Sequence, residues 1–466
     1  MYLPLIIQGG MGAAISGWCL ARAVALTGQL GVVSGTGIDT VLVRRLQDGD
    51  TGGHLRRAME AFPMPDVAGR VSQKYFRAAG RAPDQPYVLL PLCRQVISLE
   101  RQRLLMLATF AEVWLAKEGH DAPVGINLLT KIQLPTLAAL YGAMLAGVDW
   151  VLMGAGIPRD IPGALDQLAG GRATQLRLEV EDDQPGREAM VIFDPSAHFP
   201  DPPALRRPGF IAIVASNSLA TMLARKASGM VDGFVVESPT AGGHNAPPRG
   251  PLRLTDRGEP LYGDRDVVDL SKLGELGRPF WLAGGAGRPG VLAEARREGA
   301  AGIQVGTLFA YCDESGLAPD LKQSIIHHAL QGAVRIRTDP RASPTGYPFK
   351  VVEWPDDPAR GVTRERRCDL GYLRVAYRRD DGRLGYRCAG EPVEDFVAKG
   401  GRAEDTVGRR CLCNTLLATA GHPQARGEGW VEPPLVTSGD DVTRLHEFLG
   451  ERTRYAACDV VEYLLS

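Results

Sequence analysis

A histidine that follows two glycines, in the string Gly242-Gly243-His244, is the clearest candidate for a catalytic group in this sequence. It comes after an apolar run at 233–237, which predicts a short buried strand. Loops after such strands present catalytic groups in α/β enzymes, because the strands hold them rigidly. A histidine exchanges protons near neutral pH, and glycine lets backbone approach a flat ligand closely. The pattern therefore predicts a catalytic His244, with Gly243 beside a bound ligand, although most histidines have surface or structural roles.

Eight short apolar runs, each rich in Val, Ile, Leu or Phe, recur along the first 310 residues. Stretches with helical spacing separate them, and most runs are followed by Gly, Ser or Asn. Parallel strands covered by helices on both faces have this composition. The order of the elements therefore predicts a (β/α)8 TIM barrel. The predicted strands are 5–8, 30–34, 124–127, 150–153, 211–215, 233–237, 280–283 and 302–305.

The loops after these strands carry groups suited to a flat ring and a phosphate. Gln8 and Asn127 have amides that can hydrogen-bond the polar edge of a heteroaromatic ring. Glycines after the seventh and eighth strands suit a phosphate cradle, in which backbone N–H groups point at the anion. A ring over the barrel mouth with a phosphate at one side is compatible with FMN. The candidate cofactor-binding residues are Gln8, Gly10, Met11, Gly12, Asn127, Ser216, Gly243, Gly284, Gly285, Gly306 and Thr307.

Six strings between residues 3 and 350 resemble, in their order, the nitronate monooxygenase family, formerly called 2-nitropropane dioxygenases. They are PLIIQGGMGAAIS, VGINLL, VLMGAGIP, VESPTAGGHNAP, FWLAGGAG and GIQVGTLFAYCDESG. The resemblance implies a (β/α)8 barrel that binds FMN non-covalently, with His244 as the base that takes a proton from the carbon next to a nitro group. The residues that it assigns to the flavin are, near the ring, Gly10, Met11, Gly12 and Asn127 and, at the phosphate, Gly284, Gly285, Gly306 and Thr307.

The activity implied by this resemblance is that of an FMN-dependent oxidoreductase. Such an enzyme oxidises a small nitronate or nitroalkane with dioxygen to a carbonyl compound and nitrite. Closely similar barrels include enoyl reductases that use NAD(P)H and act in trans on thioesters of a carrier protein, so that reaction stays open as an alternative. A second alternative is a non-catalytic flavin- or phosphate-binding assembly module, because the segments outside the barrel offer surface for partners.

Two segments exceed a minimal barrel. Residues 39–97 are predicted to form an insertion after the second strand, with helical stretches around 41–47 and 55–61 and a proline-rich connector at 62–91. The chain after the barrel forms the second segment. The predicted domains are therefore a barrel at 1–340 and a C-terminal extension at 341–466.

Four cysteines fall in the C-terminal extension. Cys368, Cys388, Cys411 and Cys413 could together bind a structural zinc ion or an iron–sulfur cluster. Their spacing is not the usual pair of Cys-x-x-Cys knuckles, and free cysteines are also common as small buried hydrophobic residues. A metal would help to stabilise an extension that has few long apolar runs.

The balance of charge limits the classes of partner. The 53 Lys and Arg residues nearly equal the 54 Asp and Glu residues, which argues against general binding to nucleic acid or to a membrane surface. No apolar run approaches the roughly 18 residues that span a bilayer, and the N-terminal segment lacks the basic region of a signal peptide. We therefore expect a cytoplasmic protein that binds a small-molecule substrate and dioxygen, and the sequence leaves a homodimer open.

Overall fold

Parallel strands joined by helices form the centre of the molecule. The structure, a computed structural model, describes residues 3–181 and 186–466. Within these residues the strands are, in chain order, β1 (Ile6–Gln8), β2 (Gly31–Ser34), β3 (Val124–Leu129), β4 (Trp150–Gly154), β5 (Thr174–Leu178), β6 (Val180–Glu181), β7 (Ala189–Phe193), β8 (Gly209–Val214), β9 (Gly233–Glu237), β10 (Phe280–Ala283), β11 (Gly302–Val305), β12 (Arg335–Asp339), β13 (Phe349–Glu353), β14 (Val375–Arg378) and β15 (Leu384–Arg387).

Most of the helices lie between these strands or follow them. They are α1 (Trp18–Leu26), α2 (Ile38–Gln47), α3 (His54–Glu60), α4 (Pro65–Tyr75), α5 (Leu99–Lys117), α6 (Thr136–Leu145), α7 (Ile161–Ala169), α8 (Asn217–Lys226), α9 (Leu270–Gly274), α10 (Val291–Arg297), α11 (Thr307–Ala310), α12 (Pro319–Leu330), α13 (Val393–Ala398), α14 (Leu412–Thr419), α15 (Leu445–Leu449) and α16 (Ala457–Leu465). Within the described ranges, no helix is long and apolar enough to cross a membrane.

Eight of these strands pair in parallel, in the order β1-β11-β10-β9-β8-β4-β3-β2. The two ends of this sheet meet, because Ile7 bridges to Leu30 just before β2. The Leu30 N–H donates to the Ile6 carbonyl at 3.1 Å, and the Gln8 N–H donates to the Leu30 carbonyl at 2.9 Å. The sheet is therefore closed, which confirms the predicted (β/α)8 barrel.

The barrel interior is filled by a small apolar cluster of its own. Trp150 and Trp281 contribute its largest side chains, and the Trp281 indole N–H donates to the Pro4 carbonyl at 2.8 Å. Side chains at alternate positions of a barrel strand point inward, so a strand that contributes to the cluster gives it one or two residues. The other members of the cluster are Ile7, Leu30, Val32, Leu152, Ile211, Val235 and Ala283.

The register of the strands gathers their carboxyl ends at one rim of the barrel. Gln8 lies opposite Val305, and Asn127 lies opposite Ser34. Glu237 lies opposite Ala283. The loops that follow these positions therefore surround one opening, as ligand-binding loops do in this architecture.

The insertion after β2 is more helical than its sequence indicated. The helical stretches at 41–47 and 55–61 are confirmed as α2 and α3. The expectation of a connector over the whole of 62–91 was wrong, because α4 occupies part of it. Pro65 is the first residue of α4, where proline is favoured because its fixed φ suits the helix and no N–H bond is lost.

The chain after the barrel packs closely onto it. The hairpin β12–β13 spans residues on both sides of position 340. Strand β14 pairs in parallel with β6, which belongs to the segment between β4 and β8. Buried side chains of the tail, including Trp354, Leu417 and Val460, belong to the same apolar cluster as the helices around the barrel. The tail therefore shares the apolar core that surrounds the barrel, not the cluster inside it.

Candidate functional site

A cavity of about 230 Å³ opens at the rim where the carboxyl ends of the barrel strands meet. Loops after seven of the barrel strands line it, and the tail lines it from the other side. Ten of the residues predicted for catalysis or cofactor binding lie in its wall. These are Gly10, Met11, Gly12, Asn127, Gly243, His244, Gly284, Gly285, Gly306 and Thr307.

Gln8 and Ser216, which were also predicted to bind the cofactor, do not line this cavity. Gln8 is fully buried, and its side chain accepts from the Val32 N–H at 3.0 Å and donates to the Gly9 carbonyl. Ser216 caps α8, since its hydroxyl accepts from the Leu219 N–H at 3.1 Å. Both side chains therefore use their polar atoms in structural contacts outside the cavity wall.

His244 is held by residues that follow the barrel in sequence. Its Nε2 lies 2.7 Å from Ser343 Oγ, and Ser343 Oγ lies 2.8 Å from Thr345 Oγ1. The imidazole packs edge-on against Phe349, with ring centroids 4.8 Å apart. In the described part of the chain, His244 Nδ1 has no hydrogen-bond partner. An Nε2–H that donates to Ser343 leaves Nδ1 as the unprotonated nitrogen available to a ligand.

The titratable groups of this cavity have strongly shifted pKa values. Burial lowers the pKa of His244 to about 4, so its imidazole is neutral at physiological pH. Burial raises the pKa of Glu237 to about 8, so that carboxyl is mostly protonated at neutral pH. Among the described residues that line the cavity, none is Lys or Arg. His244 and Glu237 therefore both meet a ligand as neutral groups.

Part of the cavity wall consists of tightly packed glycines and of the Asn127 amide, whose oxygen has no hydrogen-bond partner. The side chain of Asn127 donates to the Gly10 carbonyl at 3.2 Å, while its buried Oδ1 has no hydrogen-bond partner. A Cβ at Gly10 would lie 2.2 Å from Asn127 Cβ, and one at Gly12 would lie 2.8 Å from Thr36 Cβ. Only glycine fits at these two positions, so backbone forms the cavity floor there.

The loops after β10 and β11 present backbone N–H groups to the cavity. Gly284 and Gly285 have φ values of 90° and 67°, which glycine adopts without strain. Within the described residues, the N–H groups of Gly285, Gly306 and Thr307 donate to no protein acceptor. Such free N–H groups are the usual donors to a phosphate.

The tail segment 438–441 completes this part of the cavity wall, and the sequence patterns did not predict it. The Gly439 N–H donates to Thr307 Oγ1 at 3.0 Å. The Asp441 carboxylate accepts from the Gly287 N–H at 3.0 Å, and burial raises the pKa of this carboxyl. Ser438 also lines the cavity, and its buried hydroxyl has no hydrogen-bond partner.

Apolar side chains of the tail also line the cavity, and the sequence patterns did not predict their position either. They come from segments that showed no strand or helix pattern strong enough to place them over the barrel. The only available signal was the Ser343-Pro-Thr-Gly346 string, which contains the partner of His244. The tail residues at this position are Tyr372, Leu373, Leu412, Cys413, Leu416 and Leu417.

The four cysteines of the tail come together around a second, much smaller cavity. Cys368, Cys388, Cys411 and Cys413 all line it, and none forms a disulfide. Cys413 also lines the large cavity, so the two cavities share a wall. In the part of the chain that the structure describes, no group of three or more His, Cys, Asp or Glu side chains has an arrangement that could hold a metal ion as it stands.

Comparison with known proteins finds similarity only at the level of structure. No protein-family model matches the chain, and no curated protein matches it significantly. FabK from Thermotoga maritima superposes with a TM-score of 0.49 at 15% identity, covering 99% of this chain and 91% of that chain. Nitroalkane oxidase from Streptomyces ansochromogenes gives 0.45 at 14% identity, with coverages of 99% and 94%.

The enoyl reductase domain of MlnA from Bacillus amyloliquefaciens gives a TM-score of 0.45 at 11% identity, covering 99% of this chain and 93% of that chain.

Proposed function

We propose that this protein is an FMN-dependent oxidoreductase whose cofactor lies in the cavity at the barrel rim. Two polar atoms support the fit, because Asn127 Oδ1 and Gln304 Oε1 are buried in the cavity wall without partners. Buried polar atoms are costly unless they are hydrogen-bonded, so these atoms call for a polar ligand. A flavin ring offers the N–H and carbonyl groups that would satisfy them.

The phosphate would lie against the loops that follow β10 and β11. The unpaired N–H groups of Gly285, Gly306 and Thr307 suit a phosphate, and two of them belong to the loop that opens α11. Neither Lys nor Arg lines the cavity in the described residues, so backbone would supply most of this binding. When bound, FMN would accept the electrons of substrate oxidation and pass them to dioxygen.

His244 would start the reaction by removing a proton from the carbon next to the nitro group of a small nitroalkane. Its neutral imidazole can accept a proton at Nδ1, while the Nε2–H stays hydrogen-bonded to Ser343. The C–H bond breaks, an N–H bond forms, and the electron pair remains on the substrate as the nitronate. Oxidation of that nitronate by dioxygen then gives the carbonyl compound and nitrite.

The position of His244 in the cavity wall, with one ring nitrogen bonded to Ser343 and the other free, is the observation that carries this proposal. The test is to purify the protein, identify any released flavin, and measure nitrite formed from nitroethane in air. Yellow protein that releases FMN and produces nitrite supports the proposal. Protein that is colourless and cannot be reconstituted with FMN contradicts it.

Reduction of an enoyl thioester is the second candidate, and the apolar tail side chains over the cavity favour it. Leu373, Leu412 and Leu416 offer contacts to an acyl chain rather than to a small nitro compound. In that reaction NADPH would supply the reducing equivalents, and the thioester would be carried by a carrier protein. Oxidation of NADPH that depends on a crotonyl thioester, without nitrite formation from nitroethane, would favour this candidate.

A further inference from the structure

Glu237 is a carboxyl group in the cavity wall that the mechanism above does not use. It is the last residue of β9 and lies seven residues before His244, so one strand and its loop deliver both groups to the cavity. Its neighbour across the sheet is Ala283, which offers no polar side chain. The position is fixed by the barrel itself, because Glu237 belongs to a strand rather than to a loop.

The Glu237 carboxyl has no polar partner in the described part of the chain. Within the described residues it forms neither a salt bridge nor a side-chain hydrogen bond, and the side chain is only partly accessible. The other titratable residues that line the same cavity are His244, Tyr372, Cys413 and Asp441. A buried carboxylate without a cation or a donor is strongly disfavoured, so the carboxyl keeps its proton.

One tyrosine outside the lining also faces this group. Burial first, and then the charges of Asp266 and Glu237, raise the pKa of Tyr262 to about 12. Its hydroxyl donates to the Ala246 carbonyl at 3.0 Å and is therefore not a donor to Glu237. The cavity thus contains two uncharged acid–base groups of opposite character, a His244 that can accept a proton and a Glu237 that can donate one.

We propose that Glu237 is a second substrate-binding residue, whose protonated carboxyl donates a hydrogen bond to an oxygen of a neutral substrate in the flavin site. The inference rests on the proposed function and specifies its substrate as a neutral molecule with an oxygen acceptor. When His244 removes the proton, negative charge develops on the nitro oxygens, and a donor aimed at them stabilises that charge. A substrate that is already an anion finds no cation among the described residues that line the cavity.

The test measures binding of a neutral nitro compound to FMN-loaded protein as a function of pH. The probe is tert-nitrobutane, which has no removable proton next to its nitro group, and its binding is followed by perturbation of the flavin absorbance without oxygen. Affinity of the natural protein is expected to be constant below about pH 8 and to fall about tenfold above it, as the donor is lost. Glu237→Gln keeps a neutral donor, so its affinity should stay within about threefold of the natural protein and show no such fall.

Glu237→Ala removes the donor and is expected to bind the probe about tenfold more weakly at every pH. Flavin content and thermal unfolding of both variants report on folding, and Glu237→Gln alone decides the question if the alanine variant does not fold. The proposal is overturned if Glu237→Gln loses affinity above pH 8 together with the natural protein, or if a folded Glu237→Ala binds as tightly as the natural protein. Protein without flavin contradicts the proposed function instead, so the two failures are distinguishable.

Discussion

The Nε2 atom of His244 lies 2.7 Å from the hydroxyl of Ser343, although 99 residues separate them in the chain. This bond fixes the ring orientation and selects which nitrogen faces the cavity. Ser343→Ala should therefore lower kcat/KM for nitroethane about tenfold, because the neutral ring loses the hydrogen bond that orients it. Flavin content should stay unchanged.

The matched control for this variant is Ser315→Ala. Ser315 is also buried, and its hydroxyl donates to the Ala310 carbonyl and not to His244. That variant should affect stability but leave the pH dependence of kcat/KM unchanged. Equal effects of both substitutions on kcat/KM would show that Ser343 acts only through folding.

His244 itself is expected to be needed only for substrates that still carry the proton. His244→Ala should keep FMN and lose at least about a hundredfold in turnover of neutral nitroethane, while its nitronate is oxidised at a much smaller disadvantage. With a pKa of about 4, the base form persists above that pH, so the acidic limb of kcat/KM should lie near pH 4 rather than 6.5. An exposed histidine, His327, provides the control as His327→Ala. Full activity of His244→Ala on nitroethane would exclude the role of base.

The barrel and its rim were predictable from the sequence because the signals are local. Each barrel strand is a short Val-, Ile- or Phe-rich run, and glycines follow where backbone turns into the cavity. The need for glycine at Gly10 and Gly12 does not show in the sequence, because it arises from Asn127 and Thr36, which leave no room for a Cβ. Gln8 and Ser216 have the right residue types, but strand and helix contacts use their polar atoms.

The tail could not be placed over the barrel, because its contacts join distant segments of short structure. Strand β14 pairs with β6 across nearly 200 positions, and such non-local pairing leaves no periodic trace. The antiparallel pair of β5 and β7 does leave a periodic pattern, because exposed and buried residues alternate along Thr174–Leu178. The alternation of Leu176, Arg177 and Leu178 predicts an extended strand with one buried face between β4 and β8.

Asn127 should contribute directly to flavin affinity. Its Oδ1 is buried without a partner, and a ligand donor that satisfies it is worth about 1–3 kcal/mol. Asn127→Ala should therefore weaken FMN binding about tenfold to a hundredfold, measured by fluorescence titration of the apoprotein. Asn414 is the matched control, since its Oδ1 is also buried without a partner but lies outside the cavity. Asn414→Ala should lower stability and leave FMN affinity unchanged, and the opposite ranking would contradict the assignment.

Asp441 should oppose the binding of the flavin phosphate. Its carboxylate accepts from the Gly287 N–H at the end of the cavity where the free N–H groups lie. Burial raises the pKa of Asp441, so its carboxylate becomes protonated at a higher pH than an exposed one. FMN should therefore bind more tightly as the pH falls through that range. Asp441→Asn should increase FMN affinity several-fold and flatten this pH dependence.

Riboflavin, which lacks the phosphate, separates charge repulsion from loop structure. Asp441→Asn should leave its affinity unchanged, because no second anion is present. If the variant weakens both flavins equally, Asp441 instead stabilises the loop that contains Gly287.

The tail cysteines are proposed to bind one metal ion, although their side chains would have to close around it. Cys368, Cys388, Cys411 and Cys413 come from three separate segments and share one small cavity, as ligands of a structural zinc site do. Metal analysis of protein prepared with added zinc should find about one zinc ion per chain, and Cys388→Ser should lose it and unfold several degrees lower. The exposed Cys458 provides the control as Cys458→Ser. Iron with acid-labile sulfide would indicate a cluster instead, and metal-free protein whose stability Cys388→Ser leaves unchanged would show that these thiols only pack.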